Sequence, residues 1–100
     1  MTNLANIEAI LIENIELLNS YGISRLGIFG SFLDGTQTEG RDIDILVSFN
    51  PGKKSFDNYM DLKFFIEEIL KREIDLVIEE AIKEDLREAI LGSVRYVKAA

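Results

Sequence analysis

Two segments of this chain are written as buried β-strands and yet carry acids inside them. Residues 42–49 read DIDILVSF and residues 73–79 read EIDLVIE. With a side-chain period of two, Ile43, Ile45 and Val47 share one face of the first segment, and Asp42, Asp44 and Leu46 share the other. In the second, Ile74, Leu76 and Ile78 face one way and Glu73, Asp75 and Val77 the other. One face of each strand therefore belongs to a core, and the opposite face sets a carboxylate among apolar neighbours. Asp is poorly suited to strand interiors. Residues two apart on a strand lie ~6–7 Å apart on the same side. At an effective dielectric near 20, the Asp42–Asp44 pair repels by about 2 kcal/mol. Solvent screening at an open sheet face is one way to tolerate this. A bound divalent cation is the other. If the two strands pair, Asp75 joins the doublet, and three carboxylates with water and phosphate oxygens are what Mg²⁺ favours.

The rest of the chain supplies the frame. Leu4, Ile7, Leu11, Ile15 and Leu18 recur at helical spacing and predict a helix over residues 3–20, ended by Tyr21-Gly22. Residues 25–29 (RLGIF) predict a short strand, and residues 50–54 (NPGKK) a turn. Leu62, Phe65, Ile66, Ile69 and Leu70 predict an amphipathic helix over residues 57–71. Ile82, Leu86, Ala89 and Ile90 predict a last helix over residues 82–92, stopped at Gly92. The tail VRYV (residues 94–97) fits either an edge strand or coil. The order helix, strand, strand, helix, strand, helix gives an α/β (α+β) fold, a small sheet with flanking helices, in one domain over residues 1–100.

What the chain lacks narrows the chemistry. It has neither histidine nor cysteine, which removes thiol nucleophiles, Ser–His pairs and the usual zinc ligands. Its net charge of −7 argues against a general nucleic-acid binder, which needs a basic face. A metal-bearing anionic small molecule, or a basic protein partner, fits such a field. No apolar run approaches a membrane span and no secretory leader opens the sequence, so a cytoplasmic location is the default expectation.

Gly30-Ser31 follows the RLGIF strand. A glycine there allows close backbone approach to a ligand, and a following helical turn would aim N–H groups and the Ser31 hydroxyl at an anion. Equally, Ser31 with Asp34 has the form of a capping box. The segment GSFLDGT fails as a Walker A loop, since Thr36 stands where lysine is required.

Taken together, Gly30-Ser31, the D42-I-D44 doublet eleven residues on and the later D75-L-V resemble the GS…DxD…D pattern of the minimal nucleotidyltransferases. These form the small stand-alone branch of the polymerase-β-like nucleotidyltransferase superfamily, and the resemblance spans nearly the whole chain. It implies a mixed sheet with flanking helices. It implies that Gly30 and Ser31 hold the phosphates of ATP, and that Asp42, Asp44 and Asp75 bind two catalytic Mg²⁺ ions. Small members resemble antitoxins paired with a helical HEPN-type toxin. The resemblance thus implies transfer of AMP from ATP to a hydroxyl of the toxin, a tyrosine by expectation, with no direct nucleic-acid contact. The sequence departs from the family at Asp34, where a basic residue is usual, and at Arg41, where serine is common. Those departures keep open two other readings. One is a catalytically degenerate module that neutralises a basic partner by binding alone. The other is a free-standing transferase acting on a small hydroxyl compound, which requires a deep acceptor pocket of the kind a homo-oligomer can form.

Overall fold

The computed structural model describes residues 4–30 and 43–98. Two short helices open it, α1 (Leu4–Glu13) and α2 (Ile15–Asn19). The single helix expected over residues 3–20 is interrupted at Asn14. Its side-chain Nδ2 donates to the Ile10 carbonyl at 2.8 Å, while its backbone N–H is divided between the Ile10 and Leu11 carbonyls at 3.2 Å each. An asparagine that competes for the carbonyl four residues back disturbs a helix in this way. The apolar spacing survives the break: Ile7, Leu11 and Leu18 are fully buried.

Strand β1 (Ile23–Phe29) follows, then β2 (Ile43–Phe49), helix α3 (Phe56–Leu70), β3 (Ile74–Ile78), a 3₁₀ turn (Glu79–Ala81), α4 (Glu84–Ser93) and β4 (Arg95–Lys98). The sheet order is β3-β2-β1-β4. β1 is antiparallel to both β2 and β4, and β2 is parallel to β3. The parallel pair is joined through α3, as a parallel connection requires. The tail that fitted either strand or coil is strand, on the edge beside β1. The last helix begins two residues later than expected and runs through Gly92.

The core lies on one side of the sheet. Ile23, Leu26 and Ile28 of β1, Ile43, Ile45, Val47 and Phe49 of β2, and Ile74 and Leu76 of β3 meet Ile7, Leu11, Leu18, Leu62, Ile66 and Leu70 from the helices. Helix α3 is fixed at both ends. Ser55 Oγ accepts from the Asn58 N–H at 3.1 Å, and Lys71 closes the helix in the left-handed region at φ 57°. Tyr59 Oη donates to the Leu76 carbonyl of β3 at 2.5 Å, and Glu67 Oε2 accepts the Ile74 N–H at 3.1 Å. These two contacts seat β3, an edge strand, against the helix layer.

The second face of the sheet has a different character. Alternation places Arg25, Gly27 and Phe29 there from β1, Asp44, Leu46 and Ser48 from β2, and Asp75 and Val77 from β3. Helix α4 crosses this side. It starts after the 3₁₀ turn at the end of β3, and Val94, just beyond its end, stands against Gly27. A Cβ on Gly27 would lie 2.9 Å from Val94 Cγ2 and 3.2 Å from Tyr96 Cδ1, so a side chain at that position would displace the crossing chain. Unlike α1 and α3, α4 has no fully buried side chain; its Arg87, Ile90 and Leu91 are half-buried and Leu86 and Ala89 exposed.

Candidate functional site

On the second face, Asp44 of β2 and Asp75 of β3 are register partners in the parallel ladder. Their flanking residues Ile43, Ile45, Ile74 and Leu76 all point into the helix-side core, so both carboxylates project from the opposite face. Neighbouring strands lie ~4.8 Å apart, which makes the two acids close lateral neighbours. Asp44 is half-buried and Asp75 exposed. Each is one residue inside its strand, and the parallel register brings them level.

Gly30 closes the group. Phe29 is the register partner of Asp44 across β1 and β2, and the chain leaves β1 through Gly30 at φ +81°, a conformation that favours glycine. A Cβ on Gly30 would collide with Asp44 Oδ2. The glycine thus brings bare backbone up to a carboxylate at the point where the chain leaves the sheet.

Of the residues expected at the site, Gly30, Asp44 and Asp75 are therefore neighbours. Ser31 and Asp42, and with them Asp34 and Arg41, lie outside the described residues. Among the described residues no group of three or more acidic side chains converges to hold a metal ion. The pair is made of hard carboxylate oxygens on one open face, one of them exposed, and that donor chemistry fits Mg²⁺.

A second polar group lies on the same face, about four residues or ~13 Å along the strands, and sequence reasoning missed it. Arg25 is the register partner of Ser48, and Ser48 Oγ donates to Glu80 Oε1 at 2.6 Å. That hydrogen bond, with weaker help from Lys54 and Arg87, holds the Glu80 carboxyl below the usual value. Beside it the buried Glu79 places Oε2 at 3.7 Å from both Arg25 Nη1 and Arg87 Nη2, and Arg87 Nη1 donates to the Glu79 carbonyl at 3.0 Å. Arg25 also stacks over the Tyr96 ring at 6.0 Å. Glu79 Oε1 is buried with no hydrogen-bond partner. The one hint in the sequence was Ser48, a hydroxyl between the apolar Val47 and Phe49 at the end of β2.

Comparison with known proteins identifies the family. The family model of the nucleotidyltransferase domain matches residues 9–97. The chain belongs to that family. A protein adenylyltransferase, MntA, of Thermococcus cleftensis is 34% identical over 98 residues, covering 97% of this chain and 98% of the relative. A Methanocaldococcus jannaschii protein named for the same activity is 40% identical over 87 residues, covering 87% of this chain and 92% of its own. Among solved structures, one described as a minimal nucleotidyltransferase superposes with a TM-score of 0.82 at 29% identity, over 94% of this chain and 95% of that one. The complex of a tri-AMPylated Shewanella oneidensis HEPN toxin with its MNT antitoxin superposes with a TM-score of 0.65 at 17% identity, over 93% of this chain and 73% of that one, a likeness of fold. The four-stranded mixed sheet with flanking helices is thus the minimal nucleotidyltransferase fold, and the protein is a nucleotidyltransferase. No helix among the described residues is long and apolar enough to cross a membrane.

Proposed function

We propose that this nucleotidyltransferase is an antitoxin that transfers AMP from ATP to a tyrosine hydroxyl of a HEPN-type toxin. The observation that carries the reading is the Asp44–Asp75 register pair with Gly30 against it. Its family membership and its likeness to protein adenylyltransferases support the transfer. The solved toxin complex of the same fold supports the partner.

In this reading Asp42, Asp44 and Asp75 would hold two Mg²⁺ ions. When bound, such ions lower the pKa of an attacking hydroxyl and offset the charge of the leaving pyrophosphate. The backbone at Gly30 and the Ser31 hydroxyl would hold the phosphates. The acceptor oxygen bonds to the α-phosphorus, the α–β phosphoanhydride bond breaks, pyrophosphate leaves, and the hydroxyl proton passes to a carboxylate, assigned to the exposed Asp75.

Incubation of the protein with labelled ATP, Mg²⁺ and a HEPN-type toxin protein tests this reading. Label is expected on that partner, on tyrosine, and is expected to vanish with Asp42→Asn plus Asp44→Asn. Neutralisation of the partner by the double variant as well as by wild type would replace the transferase reading with binding alone.

A further inference from the structure

The start of α3 and the end of β3 leave a cleft of about 350 Å³ between them. Lys54, Ser55, Phe56 and Tyr59 line one side, and Ile78, Glu80 and Ala81 the other. That volume lies within the range of small-molecule sites. The cleft contains neither member of the acid pair. Ile78 is three residues along β3 from Asp75, a span of ~10 Å.

The apolar lining suits a flat ring. Phe56, the first residue of α3, is 76% exposed, more than any other large apolar side chain among the described residues. It is no part of the helix-side core, so its ring is available for stacking. Tyr59, Ile78 and Ala81 continue the apolar surface.

The polar groups are few, and one of them is fixed. Ser48 Oγ holds Glu80 through Oε1 at 2.6 Å, which orients the carboxylate and keeps it ionised. That leaves Oε2 to accept from another donor. Lys54 acts electrostatically on the same carboxyl, and its ammonium carries three donors. Ser55 Oγ accepts the Asn58 N–H, so its own hydroxyl proton can be donated into the cleft. The cleft thus offers a ligand one oriented acceptor and two donors around an aromatic platform.

A matching ligand is a flat ring with an amine donor next to a ring-nitrogen acceptor. Adenine presents that edge, with its N6 amine beside a ring nitrogen. Guanine sets two donors side by side and calls for both carboxylate oxygens, one of which Ser48 holds. Cytosine has a similar edge but only one ring to lay on Phe56.

We propose that this cleft is an adenine-binding site separate from the Asp44–Asp75 pair. The base stacks on Phe56, donates its amine to Glu80 and accepts from Lys54 or Ser55. Tyr59, which lines the cleft, also donates to the carbonyl of Leu76, the residue after Asp75. An occupant therefore rests on the tyrosine that seats β3. The site does not depend on the transferase reading.

The test titrates adenosine, which has no phosphate, into the full chain with a chelator present, and follows backbone amide NMR shifts. Shifts are expected to concentrate in residues 54–59 and 78–81. Phe56→Ala and Glu80→Ala, both at exposed positions, are each expected to weaken binding at least fivefold. Asp44→Asn plus Asp75→Asn is expected to leave it within twofold, even where AMP transfer is lost. Purine riboside, which lacks the amine, and guanosine are each expected to bind at least fivefold more weakly than adenosine. Shifts confined to the surroundings of Gly30, Asp44 and Asp75, or no shifts at all, would overturn the site. Equal binding of purine riboside or of N-acetyltryptophanamide would overturn it as well, by showing a dock for any aromatic group.

Discussion

The Asp44 carboxylate occupies the space where a side chain at Gly30 would begin. Residue 30 also sits at φ +81°, where an L-residue costs ~1–2 kcal/mol. Gly30→Ala therefore meets two penalties at once, and one of them is relieved only by moving an acid of the proposed metal site. The variant is expected to lose ~2 kcal/mol or somewhat more of stability in thermal or urea unfolding. Mg·ATP affinity, measured by calorimetry on protein shown to be folded, is expected to fall more than tenfold. Affinity equal to wild type would separate Gly30 from the nucleotide.

Asp75 presents the opposite balance. It stands level with Asp44 on the next strand and is exposed, so without a cation it adds repulsion, reduced by screening to ~1 kcal/mol or less. Asp75→Asn is expected to be as stable as wild type in the presence of a chelator, or slightly more so. Wild type is expected to gain melting temperature as Mg²⁺ is added, because a ligand of the native state stabilises by mass action; Asp75→Asn is expected to lose most of that gain together with AMP transfer. An identical Mg²⁺ response in both proteins would remove Asp75 from the metal site.

Ser48 and Glu80 set a pH dependence at the far end of the same face. The hydrogen bond from Ser48 holds the Glu80 carboxyl below its ordinary value. A carboxyl depressed in the folded state adds stability above its unfolded pKa, and that contribution is lost as pH falls through the folded one. Unfolding measured from neutral pH down into the acid range is therefore expected to lose stability faster for wild type than for Ser48→Ala, whose curve starts lower and converges on it. Since Glu80 is exposed, the separation at neutral pH is expected to be modest, ~1 kcal/mol. Parallel curves would mean that the bond does not persist in solution.

Periodicity carried most of the fold. Strand faces were legible because Ile43, Ile45, Val47, Ile74 and Leu76 alternate with residues of another kind, and the core assignment follows from that alternation. The level pairing of Asp44 with Asp75 was not legible: it depends on register, which α3 and its contacts to Ile74 and Leu76 help to fix. Asn14 was invisible as a break because a helical period continues across it. In α4 the apolar period was legible as a helix, but its bounds were not: the helix starts at Glu84 and continues through Gly92 to Ser93. The Arg25–Glu79–Arg87 group was missed because its members are 54 and 8 residues apart in sequence and carry no motif.

That group yields the last prediction. Glu79 is a buried carboxylate with one oxygen unpartnered and the other at 3.7 Å from two guanidiniums. A buried charge with such long pairing is weakly compensated, and removing one partner leaves it worse. Arg87→Met also frees the Glu79 carbonyl, so it is expected to destabilise by ~1–3 kcal/mol and to loosen α4, read as faster amide exchange across residues 84–93. Glu79→Gln removes the buried charge while keeping its size. In the Glu79→Gln background, Arg87→Met is expected to cost distinctly less, giving a coupling energy of ~1 kcal/mol in the double-mutant cycle. Additive losses would show that Arg87 holds α4 through the Glu79 carbonyl alone, with the carboxylate contributing nothing to the latch.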